Sequence, residues 1–296
     1  MHISAVHKRA AQYTVPMLSY RHAYHAGNHA DVLKHLVLVQ ILRYLSEKPA
    51  PFWVIDTHAG AGRYALESAH ATRLAEFEAG VGRLWQADAL PPATVDYLEQ
   101  VKMLNPDGAL RHYPGSPWLT YQALRPGDKA RFFERHSSDS ALLQACFQSA
   151  GRTVKVSPED GFAGLKACLP PPPRRALVLI DPSYEMQSDY PGVIHALKDS
   201  LKRFSTGCYM LWYPRLSKLE SRQLPDRLKA IGAEKWLHVT LDVSAPAKDG
   251  FGMHGSGLFI INPPWTLEKI LRDTLPDLSA RLAQSEGAGF TLTSAG

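Results

Sequence analysis

Short apolar runs and segments with helical periodicity alternate along this chain. The apolar runs lie at 52–56, 131–134, 153–156, 176–181, 208–213, 236–243 and 257–262. Helical segments at 139–149, 191–203 and 217–231 separate most of them. Strands that alternate with helices predict a doubly wound α/β sheet. The run at 176–181 is almost entirely apolar before it ends in Asp181, which is typical of a central strand of a parallel sheet, buried on both faces.

Three further segments complete the predicted fold. A helix begins near Asn28 or Asp31, either of which could cap it, and runs to about Leu45. Residues from about 66 to 128 are amphipathic, with helices expected at 74–85 and 93–104, and form a helical insertion after the first strand. The tail after Leu282 is rich in Gly, Ser and Thr, and we expect it to be irregular.

Composition limits the class of protein. With 296 residues and 45% hydrophobic residues, the chain can bury a sizeable core. No stretch approaches the roughly 20 apolar residues of a membrane span, and residues 1–16 lack the apolar region of a secretory signal. Three widely spaced cysteines argue against a disulfide framework and favour a reducing cytoplasm. The net charge of +5 leans toward a polyanionic partner.

Acidic residues end four of the predicted strands. Asp56 begins Asp-Thr-His-Ala-Gly-Ala-Gly, Glu134 ends the second strand, Asp160-Gly161 follows the third, and Asp181 ends the fourth. In an open sheet these ends line one edge and face one pocket. The glycine turn is suited to a close nucleoside, Glu134 to ribose hydroxyls, and Asp160 to an adenine amino group. A dinucleotide fingerprint needs a third glycine, which is missing near Leu66, so a nucleotide-dependent oxidoreductase is disfavoured.

The segment Asp181-Pro182-Ser183-Tyr184 is close to the Asp/Asn-Pro-Pro-Tyr/Phe signature of enzymes that methylate an exocyclic amino nitrogen. There the acid and the next carbonyl accept hydrogen bonds from the amino group, and the ring stacks on the base. The segment 262–265, Asn-Pro-Pro-Trp, matches the signature better by letter. It follows the last strand, which would end at the opposite edge if it is antiparallel, so we choose Asp181 on geometry.

A metal site is not expected. His25 and His29 are four residues apart and would share a helix face, but no Glu follows the first histidine and no third ligand is evident.

The motifs together resemble the RlmJ family of bacterial 23S rRNA adenine-N6 methyltransferases, over about residues 17–282. The resemblance is carried by Tyr-Arg-His-x-x-His-Ala-Gly-Asn-His-Ala-Asp-Val-Leu-Lys-His at 20–35. Four later segments also carry it, at 56–63, 113–117, 180–186 and 211–214. The implied fold is a Rossmann-like class I methyltransferase domain, with a seven-stranded, mostly parallel sheet whose last strand is antiparallel. The family start falls at Met17, so 1–16 would be a flexible N-terminal extension and 17–296 the methyltransferase domain.

The resemblance also implies an activity and a set of site residues. The activity is in-line transfer of methyl from S-adenosylmethionine to the N6 of one flipped-out adenine of 23S rRNA, adenine 2030 by family precedent, by a cytoplasmic monomer without a metal. Asp181, Pro182 and Tyr184 would be catalytic. The implied cofactor residues are His35, His58, Gly60, Ser116, Glu134, Asp160, Gly161 and Asp181, and the implied RNA-contacting residues are Tyr20, His22 and Lys34.

Two alternatives stay open on the sequence. A DNA adenine-N6 methyltransferase would use the same chemistry, although the chain has no added target-recognition domain. An inactive RNA-binding module on the same fold is supported only by Ser183, which stands where the signature has proline. Arg21, Lys34, Arg174 and Arg175 are candidates for phosphate contacts, with a solvated loop as the alternative role for Arg174 and Arg175.

Overall fold

The computed structural model describes residues 21–296, which form an α/β fold around one eight-stranded sheet. The strand order is β10-β8-β9-β7-β6-β1-β4-β5, and a second sheet pairs β2 with β3. The strands are β1 (Trp53–Asp56), β2 (Arg63–Ala65), β3 (His112–Pro114), β4 (Lys129–Phe133), β5 (Val154–Ser157), β6 (Ala176–Ile180), β7 (Cys208–Arg215), β8 (Trp236–Asp242), β9 (Gly255–Ile261) and β10 (Gly289–Ala295).

Helices cover both faces of the sheet. They are α1 (His29–Glu47), α2 (Ala69–Leu74), α3 (Gly82–Trp85), α4 (Pro92–Lys102), α5 (Ser116–Ala123), α6 (Ser137–Cys146), α7 (Gly161–Cys168), α8 (Asp189–Arg203), α9 (Leu219–Lys229) and α10 (Leu267–Leu282), and a 3-10 turn precedes α1 at His22–Tyr24. Alternate residues of β6 enter different clusters, Leu177 and Leu179 on the side of α1 and α10, Val178 and Ile180 on the side of α8. The prediction of a strand buried on both faces is confirmed, since all of β6 is buried.

All seven predicted sheet strands are present, and the direction of the seventh is as expected. The five strands β5, β4, β1, β6 and β7 pair in parallel, whereas β9 is antiparallel to both β7 and β8. Tyr209 at the start of β7 therefore pairs with Ile261 at the end of β9. The segment that follows β9 emerges at the edge opposite to Asp181, and the Asn262 amide there donates to the carbonyls of Ser205 and Gly207.

Two expectations were wrong. The tail after Leu282 is not irregular, because it returns to the sheet as β10, which pairs antiparallel with the whole of β8. The segment 74–85 is not one helix either, because α2 ends at Leu74, its C-cap Ala75 lies in the left-handed region, and α3 begins only at Gly82. The break lets the chain pack on the N-terminal segment, where Val81 N–H donates to the Gly27 carbonyl.

Helix α1 joins the N-terminal segment to the sheet. The Asn28 side chain caps it by accepting from Ala30 and Asp31 N–H, as the sequence suggested. Most of the 19 residues of the helix are buried. The polar side chains near its start, which include Lys34 and His35, lie at the carboxyl edge of the sheet. In residues 21–296 no helix combines the length and apolar character that a membrane span requires.

Candidate active site

A cavity of about 560 Å³ opens at the edge where β1, β4, β5, β6 and β7 end. Residues following each of these strands line it, together with the start of α1 and the loop before β9. The strand-end residues in the lining include Thr57, Glu134, Asp160, Asp181 and Pro214. The expectation that acids at successive strand ends face one pocket therefore holds for Glu134, Asp160 and Asp181.

The cavity is acidic although the chain carries a net charge of +5. The lining contains seven carboxylates and only two residues with a permanent positive charge, Lys34 and Arg135. The carboxylates are Asp31, Glu134, Asp139, Asp160, Asp181, Glu185 and Asp189. Such a lining suits a ligand that is rich in hydrogen-bond donors and carries positive charge, and it repels phosphate groups.

Asp181 is held by a chain of charged groups that begins in the N-terminal segment. The Lys34 ammonium donates to Asp181 Oδ2 at 2.6 Å and contacts Asp31 Oδ1 at 2.8 Å. The other oxygen of Asp31 hydrogen-bonds to His22 Nε2 at 2.8 Å. The side chains of Lys34 and Asp31 are almost fully buried, with 5% and 1% exposure, whereas that of Asp181 is 16% exposed and faces the cavity.

Both members of the buried pair Lys34–Asp31 stay charged. Burial opposes the charge on Lys34, but the carboxylates of Asp181 and Asp31 raise its pKa above the ordinary value. Burial also opposes the charge on Asp31, and the positive charges of His22 and Lys34 hold its pKa well below the ordinary value. Lys34 is therefore a fixed counter-charge for Asp181.

Asp56 lies beneath the cavity and not in its wall. Its side chain is fully buried, its Oδ2 accepts from the Ser116 hydroxyl at 2.6 Å, and its Oδ1 accepts from His58 N–H at 3.2 Å. Burial raises the pKa of Asp56 to about 7, even though both hydrogen bonds oppose this. Asp56 thus fixes two groups that do line the cavity, Ser116 and the loop at His58.

Glu134 is oriented by backbone donors. Its Oε2 accepts from Gly60 N–H at 2.8 Å and its Oε1 from His136 N–H at 2.7 Å. Burial raises the pKa of Glu134, and these two hydrogen bonds partly offset that effect. Gly60 has a φ of 62°, in the left-handed region, and a Cβ there would overlap the Tyr64 hydroxyl. The glycine turn therefore brings backbone directly against the carboxylate that ends β4.

Asp160 and Gly161 form the start of α7. Asp160 Oδ1 caps the helix by accepting from Ala163 N–H at 2.9 Å. A Cβ on Gly161 would overlap the Thr57 carbonyl oxygen, so only glycine allows the first turn of α7 to approach the loop after β1. His58 lines the cavity beside them, and burial lowers its pKa to about 4, which keeps its ring neutral.

His35 reaches the cavity from below. Its Nδ1 hydrogen-bonds to the Tyr113 hydroxyl at 2.8 Å, and that hydroxyl bonds to Tyr97 at 2.9 Å. Burial lowers the pKa of His35 to about 3, so this ring is also neutral. A network of buried aromatic hydroxyls thus orients the residue, and its spacing in the sequence gave no indication of this.

Tyr184 is packed under the cavity wall. Its side chain is buried, its φ of 54° is left-handed, and its hydroxyl donates to the Trp212 carbonyl at 2.9 Å. Trp212, and not Tyr184, belongs to the lining, and the Lys34 ammonium lies 5.7 Å from the centroid of the Trp212 ring. Stacking of Tyr184 on a base stays a prediction, and it would require the ring to leave this position.

The remaining site predictions divide by location. Tyr20 lies outside the described residues, as does the extension at 1–16. Arg175 was misplaced as a phosphate contact, because it precedes β6 at the opposite edge, where its guanidinium donates to the carbonyls of Ala50 and Leu45. Arg174, its neighbour, lies at that edge too. Within residues 21–296 no group of three or more His, Cys, Asp or Glu side chains is placed to hold a metal ion.

Lining residues that the sequence does not assign to the site include Asp31, Trp212 and Met253. The sequence marks Asp31 only as a possible helix cap, although the spacing of Asp31 and Lys34, three positions apart on one helix, is a usable signal. Trp212 lies in the segment 211–214, which resembles the family, but the resemblance implies no role for it. Met253 lies in the loop between the antiparallel strands β8 and β9, and no motif in this loop marks it as a site residue.

Comparison with known proteins gives a consistent result. The family model RsmJ, described as "Ribosomal RNA large subunit methyltransferase D, RlmJ", matches residues 49–292. The chain is 47% identical over 278 residues to ribosomal RNA large subunit methyltransferase J of Escherichia coli K12, covering 94% of this chain and 98% of that protein. It is 44% identical over 274 residues to the protein of the same name from Haemophilus influenzae, covering 92% and 96%. The crystal structure of protein LPL1258 from Legionella pneumophila superposes with a TM-score of 0.84 at 32% identity, covering 92% of this chain and 98% of that one.

Proposed function

Because the chain belongs to the RlmJ family of ribosomal RNA large-subunit methyltransferases, we propose that it transfers a methyl group from S-adenosylmethionine to the N6 nitrogen of an adenine in 23S rRNA. One observation carries the proposal. The acceptors suited to a nucleoside, Glu134 and Asp160, open into the same cavity as Asp181 and Pro182, which are suited to an amino group. A cofactor and a base could therefore meet there within a single chain.

The chemistry of the cavity fits this cofactor. S-adenosylmethionine supplies a methyl group activated by a positively charged sulfur, and it carries an ammonium, two ribose hydroxyls and an adenine amino group. An excess of carboxylates over permanent cations in the lining matches those donors and that charge. At Gly161, which approaches Thr57 closely, and at the left-handed turn of Gly60, the lining is backbone.

Each proposed cofactor residue then has a distinct task. Glu134, held by two backbone donors, would accept from the ribose hydroxyls. Asp160 uses Oδ1 to cap α7, which leaves Oδ2 for the adenine amino group. The neutral rings of His35 and His58 can hydrogen-bond without adding positive charge beside a cationic ligand. Ser116, fixed by Asp56, would complete the wall.

Asp181 and Pro182 would orient the nucleophile. An adenine amino nitrogen is a poor nucleophile because its lone pair is delocalised into the ring. Hydrogen bonds from that group to Asp181 Oδ1 and the Pro182 carbonyl would favour a pyramidal nitrogen whose lone pair points at the methyl group. Lys34 occupies Oδ2 and keeps the carboxylate in place, and Asp181 would take the proton that the nitrogen loses. Orientation of this kind is worth about 7–11 kcal/mol in well-aligned systems.

The N-terminal segment would contribute to substrate binding. His22 is already linked to Asp181 through Asp31 and Lys34, so RNA that contacts His22 would affect the position of the catalytic carboxylate. The target adenine must leave its stack, which costs a few kcal/mol and favours looped or unpaired RNA.

The test is methyl transfer from labelled S-adenosylmethionine to rRNA that lacks adenine-N6 methylation, followed by nucleoside analysis. We expect label in N6-methyladenosine of 23S rRNA, and mapping would compare the position with the family precedent, adenine 2030. Asp181→Ala should abolish transfer while cofactor still binds. Asn262→Ala is the matched control, because it alters the similar motif at the opposite edge of the sheet.

Three results would contradict the proposal in different ways. Equal transfer by wild type and Asp181→Ala would refute the assignment of the acid. Transfer to DNA but not to RNA would keep the site and replace the substrate. Cofactor binding without transfer to either polymer would favour a binding module and direct attention to Ser183, which lines the cavity where the signature has proline.

A further inference from the structure

The loop between β8 and β9 stands beside the mouth of the cavity. Asp242 at the end of β8 pairs with Gly255 at the start of β9, and Gly255 also pairs with Arg215 at the end of β7. Since β7 runs parallel to β6, this loop lies at the same edge as Asp181. Met253, near its end, lines the cavity.

The stem of the loop is fixed and its tip is presented outward. Val243 N–H donates to the His254 carbonyl at 2.9 Å, and Ala245 N–H donates to the Glu286 carbonyl at 3.0 Å, which ties the stem to the connection before β10. At the tip, Phe251 N–H donates to Asp249 Oδ1 at 3.0 Å. These hydrogen bonds hold the base of the loop and form a short turn at its tip, so that one side chain can project from the tip.

Phe251 is that side chain. It is 80% exposed, between Gly250 and Gly252, whose φ values of 76° and 86° are both left-handed. Neighbouring loops at this edge expose further apolar side chains, Met186 (42%), which also lines the cavity, and Leu219 (59%). A Cβ on Gly250 would lie 3.8 Å from Ser217 Cβ, so the tip adjoins the loop that leads to Leu219.

The mouth of the cavity carries cations that can pair with phosphates. Lys218 and Lys248 are exposed on the two loops that meet at the tip, where Asp249 is exposed as well. The cavity has seven carboxylates against two permanent cations, so phosphates are repelled from it and can pair with the two lysines at its mouth. A polymer that places one base inside would lay its backbone and the neighbouring bases across the loops that carry Lys218, Lys248 and Phe251.

We propose that Phe251 stacks on a nucleobase of the rRNA next to the target adenine, an inference that rests on the proposed function. When a base is turned out of its stack, its neighbour loses a stacking partner, and an aromatic ring can replace that partner at similar free energy. Phe251 would thus hold the RNA in the conformation in which the target stays in the cavity, as a positioning residue and not a catalytic one.

The test compares Phe251→Ala, Phe251→Trp and Trp265→Ala, using an rRNA fragment containing the target and, in parallel, pre-ribosomal particles. Trp265 is the matched control because it is 82% exposed but follows β9, at the opposite edge. We expect Phe251→Ala to lower kcat/KM for the RNA by about 5- to 150-fold, the loss of one base–aromatic stack. Phe251→Trp should restore most of it, Trp265→Ala should match wild type, and cofactor affinity should be equal in all.

A second readout separates stacking from a general loss of the loop. With 2-aminopurine beside the target adenine, wild type and Phe251→Trp should quench its fluorescence on binding, and Phe251→Ala should not. Equal kcat/KM for Phe251→Ala and Trp265→Ala would overturn the inference. So would a defect on particles with none on protein-free rRNA, which would assign the loop to a protein partner. If wild type itself transfers no methyl to RNA, it is the proposed function that has failed.

Discussion

Removing the counter-charge of Asp181 tests the centre of the site. Lys34→Met keeps the length and apolar stem of the side chain and deletes the ammonium that contacts Asp181 at 2.6 Å and Asp31 at 2.8 Å. Asp31, whose side chain is 1% exposed, then retains the hydrogen bonds of its Oδ2 with His22 Nε2 and Gly27 N–H but loses the ammonium as its counter-charge. Breaking a buried ion pair by removing one partner typically costs about 3–5 kcal/mol, because an uncompensated charge stays buried.

A second substitution shows whether this cost comes from charge. In Lys34→Met/Asp181→Asn a neutral amide replaces one of the two carboxylates that lose Lys34. The double variant should therefore be more stable than the sum of the two single destabilisations predicts. For residues in direct contact we expect an interaction energy of about 2 kcal/mol, within the usual range for such pairs. Lys34→Arg keeps the charge with different geometry, and it should retain most of the stability but little of the activity.

The measurement is urea unfolding at pH 7, followed by circular dichroism, with methyl transfer measured on the same preparations. We expect Lys34→Met to lose about 3–5 kcal/mol and to lower kcat by about 100-fold or more, as for the loss of a preorganised charge at a reacting group. A loss below about 1 kcal/mol, the value of an exposed ion pair, would refute this account of Lys34. Additive single effects would refute the coupling to Asp181.

Three further predictions concern the cavity floor and wall. The pKa of Asp56 is about 7, so its carboxyl group is neutral in the folded state and ionised in the unfolded chain between about pH 4 and 7, and stability falls as pH rises through that window. Urea unfolding should show that Asp56→Asn gains about 2–3 kcal/mol relative to wild type between pH 5 and pH 8, and a constant difference would contradict the raised pKa. Gly161→Ala, whose methyl would overlap the Thr57 carbonyl, should cost about 1–3 kcal/mol and weaken cofactor binding in calorimetry, unlike Gly289→Ala in open space. Tyr184→Phe removes the hydroxyl hydrogen bond and should lower the free energy of unfolding by about 1 kcal/mol, while methyl transfer is kept. Tyr184→Ala should abolish methyl transfer, and full activity of this variant would exclude base stacking.

The strand-end residues could be predicted from the sequence because local pattern determines them. An apolar run fixes a strand, the first polar residue after it marks the end, and parallel strands bring their carboxyl ends to one edge. That reasoning found Glu134, Asp160 and Asp181. It also chose correctly between two similar motifs, since the antiparallel direction of β9 puts Asn262 at the other edge.

Other features depended on contacts between distant parts of the chain. Asp56 ends its strand like the others, yet Ser116, which lies 60 positions later, covers it and separates it from the cavity. Tyr184 was expected to face the base because of its motif, but its position depends on the Trp212 carbonyl. Periodicity carries no information on such pairings. The burial and the side-chain direction of these residues could therefore not be predicted from the sequence.

The return of the C-terminal segment to the sheet has a consequence for the protein outside its site. Without β10, the seven-residue strand β8, whose five central residues are buried, would form an open edge of the sheet. Unpaired edge strands of this kind join edges of other copies and lead to aggregation. With β10 in place the edge strand exposes Thr291, Thr293 and Ser294 together with Phe290, while the opposite edge is the short β5 with an exposed Lys155. Protein shortened before Gly289 should therefore fail first by self-association, with its catalytic residues still in the chain.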